Sequence, residues 1–214
     1  MIKVHAKIYS LIIFLFLLVV LIPSKSFAEI YNYKFKYNHV NESNTLSAEL
    51  SIKSENHKIS YKSYDLAIGN RKLFNNDSWS GEIHYRTIYN KLVEGDWEIE
   101  NRPYLQITKS IKFDSIDLRF RSRQEFRFKR NEGSKTYNRL RILSSFVDNP
   151  DNLSTFIGNE FYYSFNDRKL VFNKFITGIN ISMSSNNDLR IYYESMMDLE
   201  AHNDKSSIVI SFSF

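Results

Sequence analysis

From Ser115 to Lys129 apolar and polar positions alternate. Ile116, Leu118, Phe120, Phe126 and Phe128 fall on one face, and Asp117, Arg119, Arg121, Arg123, Glu125, Arg127 and Lys129 on the other. A period of two is the signature of a strand lying between two different environments. Ser122 and Gln124 dilute the apolar face at its centre. The same period returns in Thr155, Ile157, Phe161, Tyr163 and Phe165 against Ser154, Gly158, Glu160 and Ser164, and in Leu189, Ile191, Tyr193, Met197 and Leu199 against Arg190, Tyr192, Glu194 and Asp198. It closes the chain with Ile208, Ile210, Phe212 and Phe214 against Ser207, Val209, Ser211 and Ser213.

Further strands are predicted at Tyr31 to Asn38, Leu46 to Lys53, Lys58 to Ile68, Ser80 to Leu92, Trp97 to Ile111, Lys135 to Val147 and Phe172 to Met183. Turn chemistry separates them, as in Asn75-Asn76-Asp77, Asn131-Glu132-Gly133-Ser134 and Asn166-Asp167. Few stretches show the i, i+3, i+4 spacing of an amphipathic helix, so the chain reads as all-β. Eleven segments result.

Two architectures share this alternation: a soluble sandwich with its apolar face inward, and a transmembrane barrel with the reverse arrangement. Three features favour the barrel. The segments run to about 10 to 15 residues, where soluble strands usually have about 5 or 6. Tyr and Phe gather near strand ends, as in interfacial girdles. The last strand ends on an aromatic residue, and Ile208, Ile210, Phe212 and Phe214 resemble the C-terminal signal read by the outer-membrane barrel-assembly machinery. The expected fold is a transmembrane antiparallel up-and-down barrel. An even strand number is expected of such a barrel with both termini on one side, which turns eleven segments into twelve strands, with ten as the alternative.

The beginning of the chain supports export. Lys3 and Lys7 precede an apolar run from Ile8 to Ile22, and Ser26-Phe27-Ala28 offers a small-x-small cleavage site. The run is shorter than the roughly 20 residues that span a bilayer, so residues 1–28 read as a signal peptide cleaved after Ala28, and residues 29–214 as one barrel domain. Loss of Lys3, Lys7 and Lys25 lowers the formal charge from +5 to +2, which does not suggest a nucleic-acid partner. With no cysteine, neither disulfides nor thiolate metal sites hold the fold. No later segment is apolar enough for a transmembrane helix, so membrane residence requires strands.

Short motifs carry a family resemblance. Glu100-Asn101-Arg102-Pro103-Tyr104-Leu105-Gln106, Arg121-Ser122-Arg123-Gln124-Glu125-Phe126-Arg127-Phe128, Asn138-Arg139-Leu140-Arg141, Asn159-Glu160-Phe161 and Asn173-Lys174-Phe175-Ile176-Thr177-Gly178-Ile179 resemble the domain-of-unknown-function 2490 family. In the last motif Lys174 stands where that family carries Arg. The resemblance implies a bacterial outer-membrane β-barrel and brings no activity with it. In layout alone, the chain is also similar to the oligogalacturonate-specific porins, twelve-stranded barrels with arginine-rich lumens.

A charge facing lipid at mid-membrane costs about 2–4 kcal/mol, so the charged face is expected to point into the lumen. Arg102, Arg119, Arg121, Arg123, Arg127, Arg139 and Arg141 then form a basic track, and Glu98, Glu100, Asp117, Glu125, Glu160 and Glu194 are its acidic neighbours. Guanidinium groups bind carboxylates and phosphates in forked geometry, and the track predicts a narrow channel for small anionic solutes. The competing reading lets the six carboxylates neutralise the arginines and plug the bore, leaving a structural or surface-interaction barrel. A third reading is a periplasmic β-sandwich that binds an acidic ligand. Catalysis is not expected: His39, His57, His84 and His202 lie outside any His-x-Ser context, and only His84, beside Glu82 and Arg86, is placed for chemistry. No cofactor or metal is expected. The expected partners are outer-membrane lipid, the assembly machinery and small anions, with the barrel a monomer.

Overall fold

A computed structural model describes residues 30–214, apart from 42, 56–60, 75–77, 93–94, 131–132, 149–151, 184–186 and 202–203. The proposed leader therefore lies outside the described residues. The elements are β1 (Ile30–Asn41), β2 (Asn44–Glu55), β3 (Tyr61–Phe74), β4 (Trp79–Lys91), β5 (Trp97–Phe113), β6 (Ile116–Lys129), β7 (Gly133–Asp148), β8 (Leu153–Ser164), β9 (Lys169–Ser182), β10 (Asp188–Asp198) and β11 (Asp204–Ser213). No helix is present among the described residues.

The strands form one closed barrel in which each neighbours the next in sequence, and β1 closes against β11. Closure leaves no free edge, so every strand finds a partner on both sides. The sandwich reading is thereby overturned: one sheet curls onto itself, and no second sheet packs against it.

Eleven strands correct the expected twelve, and equally ten. The even-number rule assumes that every neighbouring pair is antiparallel. Here an odd number of reversals leaves β1 and β11 pointing the same way, and they pair in parallel from Ile30↔Ser207 to Lys36↔Ser213. The seam is also short: β1 matches β2 from Ile30↔Glu55 to Asn41↔Asn44, whereas its ladder to β11 stops at Lys36. Beyond it, the Phe214 amide donates to the Lys36 carbonyl at 2.9 Å and the Asn38 amide to the Phe214 carbonyl at 2.7 Å. β1 starts at one rim and β11 ends towards the other, here called the N-terminal and C-terminal rims.

Strand bounds follow the alternation to within about three residues, with one longer extension. β3 continues past the predicted end at Ile68 to Phe74; Arg71 and Leu73 line the lumen, and Gly69 faces His84. The β5–β6 turn is tight, and Asp114 takes a left-handed φ of 39°, which a short polar side chain tolerates better than most.

Apolar side chains cover the outside. Ile68 is 64% exposed, Ile83 60%, Ile107 55% and Leu140 53%. The most enclosed side chains are by contrast largely polar, including Glu100, Glu125, Glu160, Ser51 and Ser164. Among the described residues the buried apolar clusters are small, Tyr137 with Tyr162 and Val171, and Leu143 with Phe156 and Ile176. The molecule is thus polar within and greasy without, the reverse of a soluble domain.

Candidate functional site: a basic lumen

The interior encloses a cavity of about 1420 Å³ whose lining includes Ile30 and Lys205 near the N-terminal rim and Val40, Asn187 and Phe214 near the C-terminal rim. All seven arginines of the expected track line it. The reason is local. β5, β6 and β7 keep strict alternation through their charged stretches, and register puts Arg121 opposite Arg141 and Arg123 opposite Arg139.

The carboxylates divide into two groups. Glu100, Glu125 and Glu160 are 2%, 1% and 0% exposed and do not line the cavity. They sit at the wall beneath the guanidinium groups. Arg102 donates Nε and Nη2 to the two oxygens of Glu100, each at 2.8 Å, in a forked pair. Glu125 accepts Arg127 Nε at 2.7 Å and Arg139 Nη1 at 2.8 Å. Glu160 accepts Arg139 Nη2 at 3.0 Å, Arg141 Nη2 at 2.9 Å and Arg121 Nη2, with the Tyr162 hydroxyl at 3.3 Å. A continuous ion-paired belt therefore crosses β5 to β8, with glutamates behind and arginines in front.

The other expected acids are arranged differently. Asp117 lines the cavity and accepts Arg119 Nη2 at 2.6 Å, and Glu194 accepts Lys174 Nζ at 3.0 Å from β9. Glu98 is drawn to Lys129 at 3.2 Å, outside the cavity lining.

Aromatic rings lie against several arginines. The guanidinium carbon lies 4.0 Å from the Tyr104 ring centre for Arg123, 4.2 Å from Tyr137 for Arg127 and 4.4 Å from Tyr162 for Arg139. Stacking of this kind restrains the rotamer and adds cation–π attraction.

Several lumen residues escaped the sequence reading of the basic track. Arg86 pairs with Glu49 at 2.9 Å, and Lys34, Lys36, Lys53, Lys174 and Arg190 also line the cavity. Their signal was present, since Lys34 and Lys36 alternate with Tyr33, Phe35 and Tyr37. Nothing local indicated that strands so distant in sequence share one bore. His84 faces the same lumen, with Nε2 3.0 Å from Glu82 and its ring stacked on Tyr104 at 4.7 Å.

The last strand keeps its outer face. Ile208, Ile210 and Phe212 register with Tyr31, Tyr33 and Phe35, and Phe212 stacks on Phe35 at 6.0 Å.

No curated protein and no solved structure matches the chain. The likeness in layout to oligogalacturonate-specific porins is not supported: those barrels have twelve strands, and this one has eleven with a parallel seam. A family model described as a protein of unknown function, DUF2490, does match, over residues 30–207. With that span the chain belongs to the DUF2490 family.

Proposed function

We propose that the protein is a bacterial outer-membrane barrel, exported by a leader cleaved after Ala28, whose lumen passes small anionic solutes. One observation carries the reading: all seven arginines of the track line the cavity, while Glu100, Glu125 and Glu160, which pair with five of them, are set back against the wall. On the β5–β8 wall a solute then meets nitrogen donors before the buried oxygens of Glu100, Glu125 and Glu160, while Glu49, Asp65, Glu82, Asp117, Asp188 and Glu194 line the bore elsewhere. The wall-side glutamates hold the arginines in place without occupying the passage, and forked donors suit carboxylates and phosphates.

The outer face supports membrane residence. Aromatic side chains stand near both rims, with Phe74, Trp79 and Phe113 at the C-terminal rim and Tyr64, Tyr89, Trp97 and Phe128 at the other. Tyr64 and Trp97 stack at 4.8 Å. Such girdles suit the two water–lipid boundaries, with exposed Ile and Leu between them. In this reading the chain is a monomer without a catalytic step, its outer face meets lipid, and β11 is presented to the assembly machinery.

The test is ion conductance of refolded protein in planar bilayers. Anion selectivity is expected, reduced in Arg121→Ala and Arg123→Ala. Cation selectivity, or selectivity unchanged in both variants, removes the arginine track from the mechanism. A well-folded protein that never conducts favours the plugged barrel. Fractionation with outer membranes and heat-modifiable mobility on gels test the location.

A further inference from the structure

Arg123 differs from the other arginines of β5, β6 and β7 in the expected track. Arg102, Arg119, Arg121, Arg127, Arg139 and Arg141 each pair with a carboxylate. Among the described residues no carboxylate pairs with Arg123. Its Nε and Nη2 both donate to one neutral acceptor, Gln106 Oε1, at 2.9 and 2.7 Å. Its third nitrogen, Nη1, has no protein acceptor among the described residues, and the side chain lines the cavity although the residue is only 9% exposed.

Two physical costs meet at this position. A guanidinium removed from water without a counter-charge loses several kcal/mol of hydration, and arginine cannot shed its proton to escape. Arg139 stands directly across the β6–β7 ladder, and directly opposed like charges are unfavourable. Yet the group is held rather than loose. The Tyr104 ring centre lies 4.0 Å from its guanidinium carbon, His84 stacks on the same ring, and the Gln106 amide nitrogen reaches Thr108 Oγ1 at 3.5 Å. A fixed, buried, unneutralised cation facing a cavity is built to receive an anion.

We infer that Arg123 is the centre of an oxyanion-binding site halfway along β6, where a carboxylate or phosphate group of the solute docks on its free edge. The site rests on the anion-conduit reading for its natural ligand, while occupancy requires access from only one rim. Gln106 and Tyr104 are positioning residues that hold the guanidinium plane. The fork distinguishes a multi-oxygen anion from a halide, which accepts without matching its geometry.

The test is calorimetric titration of the folded, detergent-solubilised barrel with inorganic phosphate, with succinate and, as a halide control, with chloride. Saturable binding of one phosphate or succinate per barrel is expected, with no comparable chloride site. Arg123→Gln keeps a donor for Gln106 and removes the charge, so affinity should fall roughly ten- to hundredfold, the loss expected for hydrogen bonds to a charged group. Arg123→Lys keeps the charge without the fork and should fall between the two. Heat-modifiable mobility establishes that each variant is folded. The inference is overturned if neither oxyanion binds saturably, if Arg123→Gln binds as tightly as the parent, or, should that variant not fold, if folded Arg123→Lys does so. Binding confined to one oxyanion identifies the solute as phosphoryl or carboxylate. Conductance separates the two readings: binding without conductance removes the conduit and keeps the site, and anion-selective conductance without saturable binding does the reverse.

Discussion

β6 and β11 stand opposite each other in the ring and obey the same alternation, yet they build different walls. β6 sends Asp117, Arg119, Arg121, Arg123, Glu125 and Arg127 inward, while β11 sends Lys205, Ser207, Val209, Ser211 and Ser213. Two arginine walls facing each other would fill the bore and repel. Two serine walls would leave it without charge. Long cations against short hydroxyls leave a cavity with a charged surface. Period two decides which residues enter the lumen, and side-chain length on the far wall decides whether space remains there.

The largest effect should come from weakening the belt on the arginine wall. Glu160→Gln leaves Arg121 and Arg141 facing a neutral amide and Arg139 with Glu125 alone, and breaking such a buried network costs about 3–5 kcal/mol. The check is the denaturant midpoint in detergent. Protein that still folds should conduct with higher anion selectivity; an unchanged midpoint would show that the belt is not what holds this wall.

Next comes a change to the short wall. Ser211→Trp should close much of the bore and sharply lower conductance, with an overpacking cost of about 1–3 kcal/mol. Full conductance in this variant would break the comparison, because the space would not depend on β11. Gly69→Ala acts between the walls. A Cβ there would collide with the His84 ring, so the imidazole must leave Glu82 and Tyr104, and about 1–3 kcal/mol of destabilisation is expected from thermal unfolding. The smallest effect belongs to the seam. Phe212→Ala removes the stack on Phe35, worth about 0.5–1.5 kcal/mol beyond buried area, and should loosen β11 first, read as faster amide exchange in β11 than in β6.

Much of this was legible along the chain. Strict alternation located eleven strands and assigned Arg119, Arg121, Arg123 and Arg127 to one face, because a strand's period is set by backbone geometry and needs no partner. The count failed where a rule replaced the pattern. Eleven segments were visible, and the assumption of an antiparallel seam turned them into twelve. Direction of closure is invisible locally, since Ile208, Ile210 and Phe212 alternate identically whether β1 runs with them or against them.

The candidate site was half legible. Its arginines and acids were named from their period, but their pairing was not. Glu98 was grouped with the belt and instead binds Lys129, whereas Glu160 gathers guanidiniums from β6 and β7. The exceptional state of Arg123 had no sequence signal, because its β5 neighbour across the ladder is set by register. There Gln106 stands where an acid would have neutralised it.

The sequence by itself determined the all-β class, the two faces of each strand and the accumulation of arginine on one of them, since these depend on residues one and two positions apart. Only the tertiary structure decided the odd strand number, the parallel seam, the serine wall facing the arginines and the pairing of Arg123 with a neutral amide instead of a carboxylate. Each depends on which strands become neighbours or opposites on closure, and that geometry belongs to the whole ring.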